Sequence, residues 1–231
     1  MPVTLKRILL IANPVSGGGR AARLAERLAQ TLAPDVKEAR VLHTSPGDAR
    51  PWLAPELSGI DLAIVVGGDG AVRQSAPLLA EFGVNLWHAP AGTENLFARS
   101  LGMRGDDRAI LKALECGVTH EIDLALATPL GMTDSKPEPF LLMASCGFDA
   151  DVVSRLAAVR RGPISHFSYA APILSTLRHF TPVGVHIECD GQALLSGQPT
   201  VGAIVANSPR YAIGLNPIPA ARMDDHRLHA A

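Results

Sequence analysis

The stretch Ile64-Val65-Val66-Gly67-Gly68-Asp69-Gly70-Ala71 is an apolar run that stops at three glycines and one carboxylate. The β-branched run is typical of a strand buried in a parallel sheet. Glycine at the end of such a strand loses conformational entropy on folding and offers no side chain for packing. The turn therefore indicates either that another group approaches this backbone closely or that the chain needs left-handed dihedral angles here.

The sequence around this stretch alternates between short apolar runs and amphipathic segments. Residues 7–14 ("RILLIANP") and 84–92 ("VNLWHAPAG") predict further buried strands, and residues 20–32 predict a helix with leucines four residues apart on one face. Strands that alternate with helices indicate βαβ units, in which the strands are parallel and the crossovers right-handed. We therefore predict an α/β domain over residues 1–120.

The second half of the sequence has a different pattern. Residues 121–129 ("EIDLALATP") and 139–148 ("PFLLMASCGF") predict strands with no helix between them. Apolar and polar residues alternate on both sides of Asp190-Gly191, which is a hairpin turn signal. We predict a β-rich antiparallel domain over residues 121–231, with a helical insert at roughly residues 149–180.

Composition excludes several classes of protein. The 231 residues carry a formal net charge of -1, so no global field attracts nucleic acid, and we expect no nucleic-acid partner. The three scattered cysteines, Cys116, Cys146 and Cys189, favour a reducing cytoplasm over a disulfide framework or a zinc site. We expect them in the core. No apolar run approaches the roughly 18 residues of a membrane span.

Three glycine-bearing turns follow predicted strands in the first half: residues 13–20 ("NPVSGGGR"), 67–71 ("GGDGA") and 90–99 ("PAGTENLFAR"). In a parallel sheet such loops emerge at the carboxyl edge, where ligands bind. Each precedes a predicted helix, whose free N–H groups and dipole favour a phosphate. Beside phosphates, Asp69 needs either a bridging Mg²⁺ or a hydroxyl whose proton it accepts. The Rossmann and Walker glycine patterns are both absent.

Five segments carry a family resemblance. The loops contain Asn13-Pro14-x-Ser16-Gly17, Gly67-Gly68-Asp69-Gly70 and Gly92-Thr93-x-Asn95-x-x-Ala98-Arg99, followed by Gly147-Phe148-Asp149-Ala150 and by residues 213–228 ("IGLNPIPAARMDDHRL"). In this order they resemble the diacylglycerol kinase catalytic-domain family, which includes bacterial lipid kinases and sphingosine kinases. Residues 166–174 ("HFSYAAPIL") also resemble a tyrosine-bearing helix of that family. The resemblance covers essentially the whole chain.

The resemblance implies a fold and an activity. The fold is an α/β nucleotide-binding domain of the NAD kinase/diacylglycerol kinase type, followed by an antiparallel β-sandwich. The activity is phosphorylation of a lipid alcohol such as diacylglycerol, with ATP and Mg²⁺ as cofactors and with transient contact to a membrane surface. The oligomeric state is left open, with a homodimer as one alternative. Carried over residue by residue, the resemblance assigns catalysis to Asp69, metal binding to Asp225, and nucleotide binding to Asn13, Ser16, Gly67, Gly68, Asp69, Gly70, Gly92, Thr93 and Asn95.

The sequence departs from the family pattern at several positions. Ala71 stands where threonine is usual, Leu96 where aspartate is frequent, and His226 where the late Asp-Gly-x-Leu loop has glycine. The sequence also ends soon after that loop, whereas family members usually continue through strands that carry an acidic residue proposed as the catalytic base. We therefore expect an incomplete sandwich, either because this is a fragment or because the protein lacks that base.

Two other functions are consistent with the sequence. A kinase acting on a soluble substrate such as NAD or a sugar phosphate would also use the Gly-Gly-Asp-Gly loop. A nucleotide- or lipid-binding protein without catalysis would fit Ala71 and the short end. Asp149 and Asp151 are expected to act at a helix N-terminus, and His226 and His229 are expected in a solvated tail rather than in a metal site.

Overall fold

The computed structural model describes residues 6–129, 131, 136–159 and 170–231. The first half consists of β1 (Arg7–Ala12), α1 (Arg20–Leu32), β2 (Glu38–His43), α2 (Arg50–Leu53), a 3₁₀ turn (Ala54–Glu56), β3 (Leu62–Gly67), α3 (Asp69–Glu81), β4 (Asn85–Pro90), α4 (Leu96–Ser100) and α5 (Asp107–Cys116). Within the described residues, the second half contains β5 (Ala125–Ala127), β6 (Glu138–Phe140), β7 (Met143–Gly147), α6 (Phe148–Val159), α7 (Ala170–His179), β8 (Val183–Cys189), β9 (Gln192–Thr200), β10 (Gly202–Ala206), a 3₁₀ turn (Ala212–Gly214) and β11 (His229–Ala230).

The four strands of the first half form one parallel sheet in the order β2-β1-β3-β4. The register aligns Ala12 with Val66 and Gly67 with Pro90, so β1, β3 and β4 end side by side. The order reverses between β1 and β3, which is the point at which open α/β sheets bind ligands. The topology therefore gathers the three predicted loops at one edge.

Two apolar layers cover the faces of this sheet. Because side chains alternate along a strand, Leu9 and Ile11 pack into the layer with α2 and α3, whereas Ile8 and Leu10 face α1 and α5. All four side chains are fully buried. The layer on the α3 side also includes Met223, which fixes the late segment of the chain against the α/β half.

The second half is built from small antiparallel sheets, ordered β11-β10-β7, β5-β6 and β8-β9. Asp190 and Gly191 join the last pair with φ values of 51° and 78°, so both residues of the predicted hairpin turn are left-handed. A parallel α/β half followed by antiparallel sheets confirms the predicted fold class.

Three predictions from the sequence need correction. The strand expected over residues 121–129 is limited to β5, and the one expected over 139–148 is split between β6 and β7. The split occurs because the Leu142 carbonyl leaves the ladder to accept the N–H groups of Asn207 and Ser208, at 2.8 and 3.0 Å. The three cysteines are exposed and free rather than buried.

Two further sequence-based expectations concern the helical insert and membrane spans. The predicted tyrosine, Tyr169, lies outside the described residues. In the part of the chain that the structure describes, no helix has both the length and the apolar character needed to cross a membrane.

Asn207 ties separate segments of the second half together through its side chain. It is fully buried, and its Nδ2 atom donates to the carbonyls of Asp123 and Leu141 at 2.9 and 3.0 Å. Both carbonyls would lose their partner if this amide were removed, and an unsatisfied buried polar group is destabilising.

We expect Asn207→Ala to lower the free energy of unfolding by about 2–4 kcal/mol, because two buried acceptors lose a donor. Urea unfolding followed by circular dichroism measures this change. Asn216→Ala, at an exposed asparagine of the same half, is the matched control and is expected to stay within about 0.5 kcal/mol of the parent protein. Equal midpoints for the two variants would contradict the claim that the Asn207 side chain stabilises the second half.

Candidate active site

The three loops at the carboxyl edge touch one another through their backbones. A Cβ atom placed on Gly92 would lie 2.7 Å from the Gly68 Cα, and one placed on Gly17 would lie 3.2 Å from the Ala91 carbonyl oxygen. Both distances are shorter than ordinary contacts, so no larger residue fits without displacing a neighbouring loop. The close approach that the glycines indicated is, in this structure, an approach of loop to loop.

Asp69 joins the second loop to the third. It is the first residue of α3, and its Oδ2 and Oδ1 atoms accept the N–H groups of Leu96 and Phe97, both at 2.9 Å. These are the first two residues of α4, whose N–H groups have no partner within the helix. Asp69 therefore caps a helix from 27 residues away along the chain. A carboxylate has about four acceptor positions, so the two bonds leave acceptor capacity for a cation or a hydroxyl.

Asn95 closes the third loop on itself. Its Nδ2 atom donates to the Gly92 carbonyl at 2.8 Å, and its Oδ1 atom accepts the Gly92 N–H at 2.9 Å. Its φ of 50° is left-handed, a conformation that asparagine tolerates better than most residues. Asn95 thus leaves the capping of α4 to Asp69 and shapes the loop, with Thr93 exposed at its surface.

The first loop presents free backbone N–H groups. Gly17, Gly18 and Gly19 have φ values of 59°, 67° and 83°, and the turn is supported by Asn13, whose Oδ1 accepts the Val15 N–H at 3.0 Å. The Ser16 carbonyl accepts the N–H of Gly19 at 3.2 Å. Among the described residues, no acceptor lies on the N–H groups of Gly17 and Gly18. Such exposed N–H groups in a tight turn suit an anion.

His88 lies beneath the loops and was not predicted from the sequence as a residue of the site. It is fully buried, and its Nε2 lies 3.0 Å from the Gly67 carbonyl oxygen, which also accepts the Ala91 N–H at 2.8 Å. Because a carbonyl only accepts, His88 carries its proton on Nε2. Burial lowers the pKa of His88, although the Gly67 bond and the Asp69 charge oppose that shift. The one sequence signal for its role is that a histidine stands within a predicted apolar strand.

Asp225, the predicted metal ligand, forms its hydrogen bonds within the late segment of the chain, and among the described residues none of them reaches the three loops. It accepts the Arg227 N–H at 3.1 Å and pairs with His229 Nε2 at 3.3 Å. Burial raises the pKa of Asp225, but the bonds from His229 and Arg227 outweigh this effect and hold it below its usual value. His226 is solvated, as expected, with 88% of its side chain exposed, although its N–H and Nδ1 both meet the Asp123 carboxylate at 2.8 Å.

The described residues contain no cluster of three or more histidine, cysteine, aspartate or glutamate side chains that could hold a metal ion. Mg²⁺ is commonly held in proteins by only one or two carboxylates together with substrate phosphates, and this arrangement does not need a cluster of three side chains. Asp69 retains acceptor capacity for this purpose, and Asp225 is a second carboxylate of the right type. Their assigned roles remain predictions.

The remaining predicted carboxylates are occupied near the start of α6. Asp149 accepts the Ser145 hydroxyl at 2.5 Å, and Asp151 forms an ion pair with Arg155 at 2.8 Å.

Two of the departures from the family pattern, Leu96 and Ala71, fit their local surroundings in the structure. Leu96 supplies one of the N–H groups that Asp69 binds, and the Ala71 Cβ lies 3.0 Å from the position that a Gly67 Cβ would take.

We expect Gly92→Ala to lower the free energy of unfolding by about 1–3 kcal/mol, because its methyl group would press against the Gly68 backbone. Gly70→Ala is the matched control. Among the described residues, no atom outside its own helix turn lies within 4 Å of the position its Cβ would take, so its stability should be unchanged. Urea unfolding of both variants measures the difference. Equal midpoints would show that the second and third loops do not touch.

Comparisons with known proteins agree with this geometry. Residues 7–127 match the family model described as "Diacylglycerol kinase catalytic domain", and residues 143–230 match the "YegS C-terminal NAD kinase beta sandwich-like domain". The chain is 30% identical over 226 residues to a protein named diacylglycerol kinase from Mycobacterium tuberculosis, with 96% of this chain and 71% of that relative covered.

Further similarities extend to other bacteria. A diacylglycerol kinase from Bacillus subtilis is 30% identical over 81% of this chain and 61% of its own length. A crystal structure of a diacylglycerol kinase from Bacillus anthracis superimposes with a TM-score of 0.68 at 27% identity, covering 97% of this chain and 72% of that one. These matches confirm the resemblance predicted from the ordered loops. The chain belongs to the diacylglycerol kinase family.

Proposed function

We propose that the protein is a lipid kinase that transfers the γ-phosphoryl group of ATP to the hydroxyl of a lipid alcohol, diacylglycerol or a related molecule. Family membership supports the class of enzyme. The observation that carries the proposal is the Asp69 carboxylate, which fastens the second loop to the third beside the free N–H groups of the first. Phosphoryl transfer depends mainly on such positioning and on electrostatic stabilisation.

The first and second loops are proposed to hold the nucleotide. The N–H groups of Gly17 and Gly18 and the N-terminus of α3 are suited to phosphate oxygens. Mg²⁺, when bound, would neutralise phosphate charge, and Asp69 and Asp225 are the carboxylates we propose to support it. Asn13, Ser16, Gly92, Thr93 and Asn95 are proposed to line this cradle and to bind the nucleotide.

Asp69 is proposed to have two roles in the reaction. Its bonds to α4 hold the third loop, and its remaining acceptor positions are available for a cation or for the proton of the attacking hydroxyl. Both roles require the carboxylate at this position. Removal of its charge is therefore expected to affect catalysis more than stability.

A cytoplasmic location with transient contact to a membrane surface is the proposed setting, since the substrate is a lipid. Leu174 and Leu177 are three residues apart on α7, and they are 54% and 63% exposed. Arg178 follows on the same helix and is also exposed. Exposed apolar side chains beside a cation suit the boundary between water and lipid headgroups.

A kinase acting on NAD is the alternative that the same loops permit, and the second half matches a domain described as NAD kinase sandwich-like. Radiolabelled transfer separates the two functions. Incubation with γ-labelled ATP and Mg²⁺, with dioctanoylglycerol and NAD offered as acceptors in separate reactions, is expected to label only the lipid. Label on NAD alone would overturn the lipid assignment.

We expect Asp69→Asn to lower kcat for lipid phosphorylation by about 10²–10⁴-fold, because general-base or metal-positioning contributions are of that size. Asparagine has only one acceptor oxygen and can keep only one of the two α4 N–H bonds, so the KM for ATP is expected to rise as well, but by less than kcat falls. Glu115→Gln, which removes an exposed carboxylate of α5, is the matched control and should retain full activity. Full activity in Asp69→Asn would restrict Asp69 to helix capping.

A further inference from the structure

A cavity of about 470 Å³ lies between α4 and the segment 209–224 of the second half. Arg99 and Ser100 line it from α4, and Arg210 and Arg222 line it from the opposite side. The Ser100 and Ser208 hydroxyls are 3.0 Å apart and tie α4 to the second half. A cavity of this volume is in the range of small-ligand sites.

The charged residues of the cavity wall are predominantly basic. Its three arginines outnumber its one carboxylate, Asp224, which gives a formal charge of +2 with His120 neutral, although the whole chain carries -1. The Asp224 carboxylate is already paired with Arg222, at 3.1 Å, and this hydrogen bond lowers its pKa. The wall residues therefore carry an excess of positive charge, although Glu94 beside the cavity offsets part of the Arg99 charge.

Two of the arginines keep donors available. Arg99 meets Glu94 only at 3.7 Å, which is longer than a hydrogen bond. Arg210 forms no ion pair with any residue that the structure describes. Guanidinium groups bind phosphates through two parallel N–H donors, so this arrangement suits a phosphate group.

Another part of the wall is apolar. Leu96, Leu101, Leu215 and Met223 line the same cavity. Inorganic phosphate would leave this surface uncovered, whereas a phosphate carried on an apolar chain would cover it and gain from its burial. The wall therefore matches an acidic amphiphile in both of its parts.

We propose that this cavity binds the phosphate group of an anionic lipid, with the arginines on the phosphate and the leucines on the adjoining apolar part. The inference deepens the proposed function and rests on it for the source of the lipid, because that reaction converts a lipid alcohol into a lipid phosphate. Binding itself requires no catalysis. The site also touches α4, whose N-terminus Asp69 holds, so an occupant would contact the helix that positions the third loop.

The test is a calorimetric titration of the full chain without nucleotide, using dioctanoyl phosphatidic acid below its micelle concentration, inorganic phosphate, and dioctanoylglycerol. Phosphatidic acid is expected to bind at least about tenfold more tightly than inorganic phosphate, since only the lipid contacts the apolar wall. Equal affinity for the two would overturn the lipid assignment, and the absence of phosphatidic acid binding would overturn the site. Dioctanoylglycerol is expected to bind at least about tenfold more weakly than phosphatidic acid, and equal affinity for these two would remove the role of the arginines.

Variants locate the binding. Arg210→Gln/Arg222→Gln is expected to weaken phosphatidic acid binding at least about tenfold, and Arg210→Gln alone, which breaks no ion pair, is expected to weaken it measurably. Arg27→Gln/Arg108→Gln removes the same charge from two exposed positions outside the cavity and should bind normally. Equal losses in both double variants would mean that bulk charge alone attracts the lipid. Because the titrations contain no nucleotide, the binding results can be interpreted even if the protein shows no kinase activity.

Discussion

The carboxylate of Asp69, bonded to two backbone N–H groups at the start of α4, is the interaction on which the candidate site depends. A helix of five residues cannot persist by its own hydrogen bonds, because nucleation is unfavourable. Asp69 supplies partners for two of its unsatisfied N–H groups and thereby fixes the start of the helix against the end of β3. The third loop, which leads into α4, is held between these two elements.

The glycines around Asp69 follow from the same constraint. Since the carboxylate draws the third loop against the second, Gly68 and Gly92 come into direct backbone contact and no side chain fits between them. His88 supports the arrangement from below through the Gly67 carbonyl. Three loops that are separated in the chain thus become one surface with free N–H groups, which is the form that a phosphate site requires.

The fold was largely predictable because strand and helix patterns alternate over the first half, and because three ordered loops identified the family. The contacts of the site were not. Nothing in the sequence indicates that Asp69 reaches residues 27 positions away, because this depends on the register that aligns Gly67 with Pro90. The break between β6 and β7 was also hidden, since it is set by Asn207, which lies over 60 residues further on. The exposed cysteines show that residue type alone decides burial poorly, since Cys116 ends α5 whereas Cys146 and Cys189 lie in edge strands.

The most direct test of this account is hydrogen exchange at the amides of Leu96 and Phe97 in the unliganded protein. Asp69 is predicted to protect both amides, and Asp69→Ala is predicted to accelerate their exchange by at least about tenfold, because both acceptor oxygens are removed. The amides of β4 should keep their protection in the same variant, which shows that the sheet remains folded. Unchanged exchange at Leu96 and Phe97 would contradict the claim that Asp69 holds the third loop.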